Sequence, residues 1–182
     1  MIDINKELIK KLDRQTIYES EWISLFRDKV EMPNGDIIDS FHKLHYPFES
    51  VSVVIINENN EILMIQSRRY STNSIEWEIP AGRIERNETK EEAARRECME
   101  ETGCTLKDLT YLCYENPSNG MSDQKVHIYG AKVKSEINVI DDNEVKTKQW
   151  IKKEKIIEML KNNDIHCGVS VLALLYAIQF YL

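Results

Sequence analysis

With 182 residues, 24 Lys and Arg against 31 Asp and Glu, and a net charge of −7, the chain suits one ordinary domain with some excess, and it lacks the basic surplus of a protein that wraps nucleic acid. At 42% hydrophobic and 30% charged, with four Pro and six Gly, it is neither disordered nor fibrous. The longest charge-free apolar run, Val169 to Leu182, is shorter than the ~20 residues that cross a bilayer, and the charged start MIDINKELIKKLDRQ has no apolar leader segment, so a cytoplasmic protein with no membrane or nucleic-acid partner is expected.

Residues 1–15 are expected as a short helix or frayed arm, and 17–46 as antiparallel strands around the Pro33-Asn34-Gly35 turn. Val51 to Ile56 is β-branched and nearly continuous, Asn57 to Asn60 is a turn, and Glu61 to Gln66 returns as a strand. A polar loop at Tyr70 to Ser74 leads to a short extended piece, Glu76 to Ile79, ended by Pro80. Asn87 to Thr102 contains no Gly or Pro, is rich in Glu, Ala and Arg, and predicts a helix stopped by Gly103. Leu109 to Tyr114 and Lys125 to Val133 are predicted strands, separated by a loop at Asn116 to Asp123. A strand at Lys148 to Ile151 and helices at Lys153 to Asn162 and Ser170 to Leu182 complete the chain. The order β-β-β-α-β-β-β-α-α is that of an α/β fold, a mixed sheet with helices against it. Four cysteines with no C-x-x-C pair are expected as reduced thiols.

The predicted helix from Asn87 places Glu97, Glu100 and Glu101 at intervals of three and four, on one face. On spacing alone such a triad is most often a solvated, ion-paired face. Its context points further: the helix follows a Pro80-Ala81-Gly82 turn where backbone can approach a ligand closely, and crowded carboxylate oxygens suit Mg²⁺ or Mn²⁺ completed by phosphate oxygens. Arg68 and Arg69 close a strand as a candidate phosphate clamp. Trp77 and Glu78 stand beside Pro80.

The segment from Gly82 to Cys104 resembles the signature box of the Nudix hydrolases, G-x5-E-x7-R-E-U-x-E-E-x-G-U, with U a bulky aliphatic residue. Gly82, Glu88, Arg96, Glu97, Glu100, Glu101 and Gly103 match the fixed positions; Cys98 and Cys104 replace the aliphatic ones. Outside the box, Gln66-Ser67-Arg68 and Glu78-Ile79-Pro80-Ala81-Gly82 resemble the Q-x-R and E-x-P-A-G frame of the ADP-ribose and nucleoside-diphosphate-sugar pyrophosphatase branch. So do the Pro33-Asn34-Gly35 hairpin, Pro117 and the acidic loop Asp141 to Glu144. One departure is Ser122-Asp123-Gln124, where that branch often carries Ser-x-Glu; the lost charge leaves a metal or water helper missing or moved to Asp123.

The resemblance implies an α/β/α sandwich around a mixed sheet, with a small N-terminal β-rich region, that hydrolyses ADP-ribose or a similar nucleoside-diphosphate sugar with Mg²⁺ (or Mn²⁺). Glu97, Glu100 and Glu101, with the Ala81 carbonyl, are the implied metal ligands; Arg96 braces them, and Glu144 or a box glutamate takes the water's proton. Arg68, Arg69 and Glu78, with the aromatic Phe48 and Trp22, are the expected substrate contacts. Residues 1–50 are expected as a dimerisation and base-binding region and 51–182 as the hydrolase domain. A homodimer follows, because some fifty residues with aromatic content need a place and an isolated hairpin is marginal in water. The rivals are a GDP- or UDP-linked sugar or a dinucleotide as substrate, and a catalytically silent binding module on the same fold.

Overall fold

The computed structural model describes residues 7–138 and 141–182. They divide into two units, one of Met1–Pro47 with Ser118–Gln124 and one of Phe48–Pro117 with Lys125–Leu182. In the first unit, β1 (Lys10–Glu19), β2 (Ser24–Glu31) and β3 (Ile37–His45) form an antiparallel sheet in the order β1-β2-β3. The helix or frayed arm expected over 1–15 is corrected here. From Lys10 onward the chain is strand, paired along β2 from Lys10↔Glu31 to Glu19↔Ser24, whereas residues 1–6 lie outside the described residues. The charged KKLDRQTIYE run forms a strand because β2 supplies its ladder partners and the two Asp28 carboxylate oxygens accept from Arg14 Nε and Nη2, at 2.8 and 2.7 Å. Pro33-Asn34-Gly35 makes the expected β2–β3 turn, with Gly35 at φ 88°, a left-handed conformation that glycine adopts without strain.

The second unit is a seven-stranded mixed sheet. Its path β10 (Val145–Lys152), β5 (Glu61–Arg69), β4 (Ser50–Ile56), β9 (Val126–Glu136), β8 (Cys104–Glu115) carries two short additions: β6 (Ser74–Glu78) pairs with β5, and β7 (Ala81–Arg83) with β4. Only the β4–β9 pair of these is parallel, running from Ser50↔Val126 to Ile56↔Lys132. The period-two pattern of β4 divides the core. Val51, Val53 and Ile55 face α1 (Lys90–Thr102) through Ala93, Ala94 and Cys98. Val54 and Ile56 face α2 (Lys153–Lys161) and α3 (Gly168–Phe180) through Ile156, Met159, Ala173, Leu174 and Ala177. The sheet is thus layered between helices, the expected α/β/α arrangement.

Several elements differ from expectation. α1 begins at Lys90, not Asn87, because Asn87 sits at φ 66° and Thr89 caps the helix, its hydroxyl accepting from Glu92 N–H while the Glu92 carboxylate accepts from Thr89 N–H. β8 starts at Cys104, directly after the left-handed Gly103 that ends α1 at φ 67°. Ser74, expected in a loop, opens β6 opposite Arg69. The three-residue β7 was not expected as a strand at all. All four cysteines are free, and among the described residues no helix is long and apolar enough to cross a membrane.

Candidate active site

The box residues assemble where α1 crosses β7. Small Ala93, Ala94 and Cys98 are fully buried against the sheet, which brings the helix close and turns Glu97 and Glu101 toward the Pro80-Ala81-Gly82 turn. Gly82 is essential to this approach: a Cβ there would lie 2.0 Å from Glu97 Cδ and 2.2 and 2.3 Å from its carboxylate oxygens. Glu101 is only 6% exposed, and its Oε2 accepts the Ala81 N–H at 2.9 Å.

Arg96 ties the acidic groups together. Nε and Nη2 donate to the two oxygens of Glu88 at 2.8 and 2.9 Å. Nη1 donates to Glu97 Oε1 at 2.6 Å and Glu100 Oε2 at 3.0 Å, and Nη2 also reaches the Arg83 carbonyl at 2.8 Å. Arg96 therefore braces the carboxylates, as its box position implies, and its bonds to Glu88 first, then to Glu97 and Glu100, raise its own proton affinity. Glu88 is held below the ordinary carboxylate range by Arg96 and by the Glu85 N–H.

Burial works the other way on the two inner carboxylates. It holds Glu97 above the ordinary range against the pull of Arg96. It pushes Glu101 up to about 8, opposed by the Ala81 N–H and helped by the negative charges of Glu97 and Glu144. Buried Glu101, half-buried Glu97 and exposed Glu100, with one arginine shared among Glu88, Glu97 and Glu100, make an oxygen donor set short of positive charge. That chemistry fits a divalent cation. Among the described residues no group of three or more His, Cys, Asp and Glu is arranged around a metal position: Glu97 and Glu100 point to Arg96, and Glu101 to the Ala81 N–H. At Ala81 it is the N–H that meets Glu101; the carbonyl is the atom expected as a metal ligand.

The expected substrate contacts fall in several places. Arg69 forms a two-pronged pair with Glu78, Nε to Oε1 at 2.8 Å and Nη2 to Oε2 at 2.5 Å, its long side chain reaching along the sheet from the turn end, where Arg69 pairs with Ser74, to the open end, where Glu78 pairs with Ile65. Arg68 donates Nη1 to the Asp142 carbonyl at 3.0 Å, and its N–H to the Glu144 carbonyl at 2.8 Å. The clamp expected of the two arginines is therefore made first to protein oxygens, fixing β5 to the acidic turn before β10. Phe48 lies in the second unit with the guanidinium of Arg83 4.8 Å from its ring centroid. Trp22 lies in the first unit and is 62% exposed. Asp123, considered as a stand-in for the lost glutamate, is engaged within the first unit. Against the cost of burial, Lys43 at 2.9 Å, the Tyr46 N–H at 2.9 Å and His45 at 2.7 Å hold it down to about 2.

A cavity of about 490 Å³ is lined by Arg68 and Arg69, the loop residues Tyr70 to Thr72, Glu76, Glu78, Glu144, His166 and Cys167. Glu144 thereby joins the expected arginines and Glu78. Glu76 and His166 were not singled out by sequence: their 2.7 Å contact joins positions ninety residues apart, which no local spacing announces.

Residues 47–168 match the family described as NUDIX domain, and residues 9–43 match the nucleoside diphosphate sugar hydrolase N-terminal domain. The chain is 28% identical over 174 residues to an ADP-ribose pyrophosphatase of Bacillus subtilis, covering 94% of this chain and 91% of that one. It is 28% identical over 170 residues to a methanol dehydrogenase activator of Bacillus methanolicus, covering 92% and 91%. A solved structure of an ADP compounds hydrolase superposes with a TM-score of 0.83 at 23% identity, over 94% of this chain and 93% of that chain; at that identity the likeness is one of fold.

Proposed function

The chain belongs to the Nudix hydrolase family, and from that premise we propose that it cleaves the diphosphate of ADP-ribose or a similar nucleoside-diphosphate sugar, releasing a nucleoside monophosphate and a sugar phosphate. The observation that carries this reading is the pair of carboxylates held against β7: half-buried Glu97 over Gly82 and buried Glu101 on the Ala81 N–H. The match of residues 9–43 to a nucleoside diphosphate sugar hydrolase region supports the sugar branch over a triphosphate or dinucleotide substrate.

Glu97, Glu100 and Glu101 would hold Mg²⁺ or Mn²⁺. Such a cation would supply charge neutralisation on the diphosphate and a lowered pKa for the attacking water. The chain's own residues do the rest. Arg96 keeps Glu97 and Glu100 on one side of the helix, through the contacts given above. The Ala81 N–H fixes the Glu101 carboxylate in one orientation. Arg69, held flat by Glu78, contributes positive charge close enough to act on Glu101. Glu144, or one of the box glutamates, would take the proton of the attacking water. Arg68 positions Glu144 through its two bonds to the turn.

A homodimer belongs to the same reading. The three-stranded sheet of the first unit exposes Leu12, Ile17, Tyr18, Ile37 and Ile38, and Trp22 is exposed beside it, an apolar group that pairing of two copies would cover. A panel of ADP-ribose, GDP- and UDP-sugars, a dinucleotide and nucleoside triphosphates, each with and without Mg²⁺, tests the function. Preferred Mg²⁺-dependent release of monophosphate from one of the sugars is expected. Activity confined to triphosphates contradicts the substrate class, and absence of hydrolysis across the panel favours the silent module.

A further inference from the structure

The last turn of α1 carries an electrostatic burden that the helix does not relieve by itself. A helix C-terminus gathers partial negative charge and favours cations, yet α1 ends in Glu100-Glu101-Thr102 with no basic residue in its last turn. The final carbonyls also need donors from beyond the helix ladder. The Gly103 N–H serves the carbonyls of Cys98 and Met99, and the Thr102 hydroxyl also donates to Cys98. The Thr102 carbonyl, directly after Glu101, takes its charged donor from a different strand.

That donor is Lys148 of β10. Its ammonium donates to the Thr102 carbonyl at 2.5 Å and the Ile137 carbonyl at 3.1 Å, and it pairs with Glu136 Oε1 at 2.8 Å. An ammonium has three N–H groups, so these three oxygens satisfy it. Glu136 is fixed in turn, because its Oε2 accepts from Trp150 Nε1 at 3.0 Å. Lys148 and Trp150 stand two apart on β10, opposite Ile65 and Leu63 of β5, and therefore share the sheet face that α1 covers. The Lys148 side chain is only 13% exposed, whereas the other ion-paired lysines among the described residues are at least 33% exposed. Lysine is seldom so enclosed without a full set of partners, and fixing its long side chain costs rotamer entropy that a surface pair rarely recovers.

We propose that Lys148 is a positioning residue of the carboxylate centre: by holding the Thr102 carbonyl it locks the last turn of α1 and keeps Glu101 in place for a divalent cation. The proposal rests on the metal reading of Glu97, Glu100 and Glu101 for the cation, and on geometry alone for the anchoring. The connection is short. Lys148 grips Thr102, Thr102 follows Glu101, and Glu101 Oε2 accepts the Ala81 N–H at 2.9 Å. One turn back, Glu97 lies so close over Gly82 that a Cβ there would be 2.0 Å from its Cδ, so the helix end has little room to shift without disturbing both carboxylates. Lys148 itself touches neither carboxylate and acts only through the backbone of α1.

The test compares Lys148→Met, which keeps the side-chain length and removes its charge and donors, with Met159→Ala, which opens a cavity in the core on the other face of the sheet. Titration of the full chain with Mn²⁺ alone, followed by electron paramagnetic resonance, reads the cation without turnover. Amide exchange by NMR reads the Ala81 N–H, whose protection reports Glu101 in place, against the Leu174 amide inside α3. Lys148→Met should weaken Mn²⁺ by about tenfold, the lower end of what is lost with a group that orients a metal ligand. It should also lower Ala81 protection by roughly three- to tenfold more than that of Leu174, the worth of about one hydrogen bond. Met159→Ala, though destabilised, should bind Mn²⁺ within about twofold of the parent, less than the loss of one hydrogen bond. Parent-like Mn²⁺ affinity in Lys148→Met, equal loss of protection at Ala81 and Leu174, or equal weakening of Mn²⁺ by Met159→Ala overturns the positioning role. A parent protein that binds no Mn²⁺, or binds it unchanged after Glu101→Gln, contradicts the metal reading instead, and the Ala81 exchange then decides whether Lys148 holds Glu101. Should Lys148→Met fail to fold, Glu136→Gln, at a side chain 35% exposed, releases the same ammonium and carries the same comparison.

Discussion

Replacing Gly82 by Ala tests the close approach between helix and turn on which the site depends. The added Cβ would fall 2.0 Å from Glu97 Cδ and 2.2 Å from its nearer carboxylate oxygen, so one of the two partners must move. If the backbone moves, overpacking costs about 1–3 kcal/mol, which for a chain of this size lowers Tm by about 2–12 °C at ~2–4 °C per kcal/mol. If Glu97 swings away instead, it loses its place beside Arg96 and Tm changes less, but the carboxylate leaves the site and kcat should fall by about 10²–10⁴, the range of losing an acid–base or electrostatic contribution. Either route joins a stability change to an activity change. Gly120→Ala is the control, since a Cβ there meets nothing within 4 Å. Differential scanning fluorimetry and monophosphate release from ADP-ribose read the two quantities. A G82A protein with the parent's Tm and kcat would refute the geometry of the site.

Glu97→Gln and Glu101→Gln should each lower kcat by about 10²–10⁴ with folding nearly intact, and because both groups serve one centre the double variant should lose less than the product of the singles; initial rates of all three proteins decide it, and singles keeping more than about a third of the activity would reduce the triad to a charged helix face. In the first unit, the Arg14 bond holds the Asp28 carboxyl below the ordinary range. Its stabilising share is full above the unfolded carboxylate pKa of about 4 and is lost as pH falls through the lower folded value, so in urea titrations an Asp28→Asn protein should be less stable than the parent at pH 7, with a gap that narrows below about pH 4; a gap independent of pH would show that the ion pair does not carry it. Light scattering coupled to size exclusion should give twice 21.4 kDa, and the monomer mass at micromolar concentration would contradict the dimer.

The parts legible in sequence are those set by short-range chemistry. Glu97, Glu100 and Glu101 share a face because the helix repeat puts them there, and Gly103 stops that helix because it alone of its neighbours takes φ 67° at no steric cost. The alternation of β4 is split across two cores because both sheet faces are covered. What escaped notice depends on register and on distant pairing. β1 lacks an apolar alternation, with one half-buried residue among ten, and is a strand through its ladder to β2. Arg68 and Arg69 read as a phosphate clamp in isolation. Only the β5–β6 register and the return of the chain at Asp142 to Glu144 reveal that their first partners are protein oxygens. The Glu76–His166 pair is invisible for the same reason: it exists only once the chain leading into α3 returns to the end of β6, where Ile79 N–H donates to the Ser170 hydroxyl at 3.2 Å.

The central claim is hydrolysis of a sugar-linked diphosphate at the carboxylate centre of α1. ³¹P NMR of ADP-ribose incubated with the protein follows both products at once. With Mg²⁺ present, the diphosphate resonances should give way to AMP and ribose 5-phosphate in equal amounts, and thorough chelation should stop the conversion. Persistence of the diphosphate with Mg²⁺ present, release of orthophosphate in place of the two monoesters, or a rate indifferent to chelation would contradict the account.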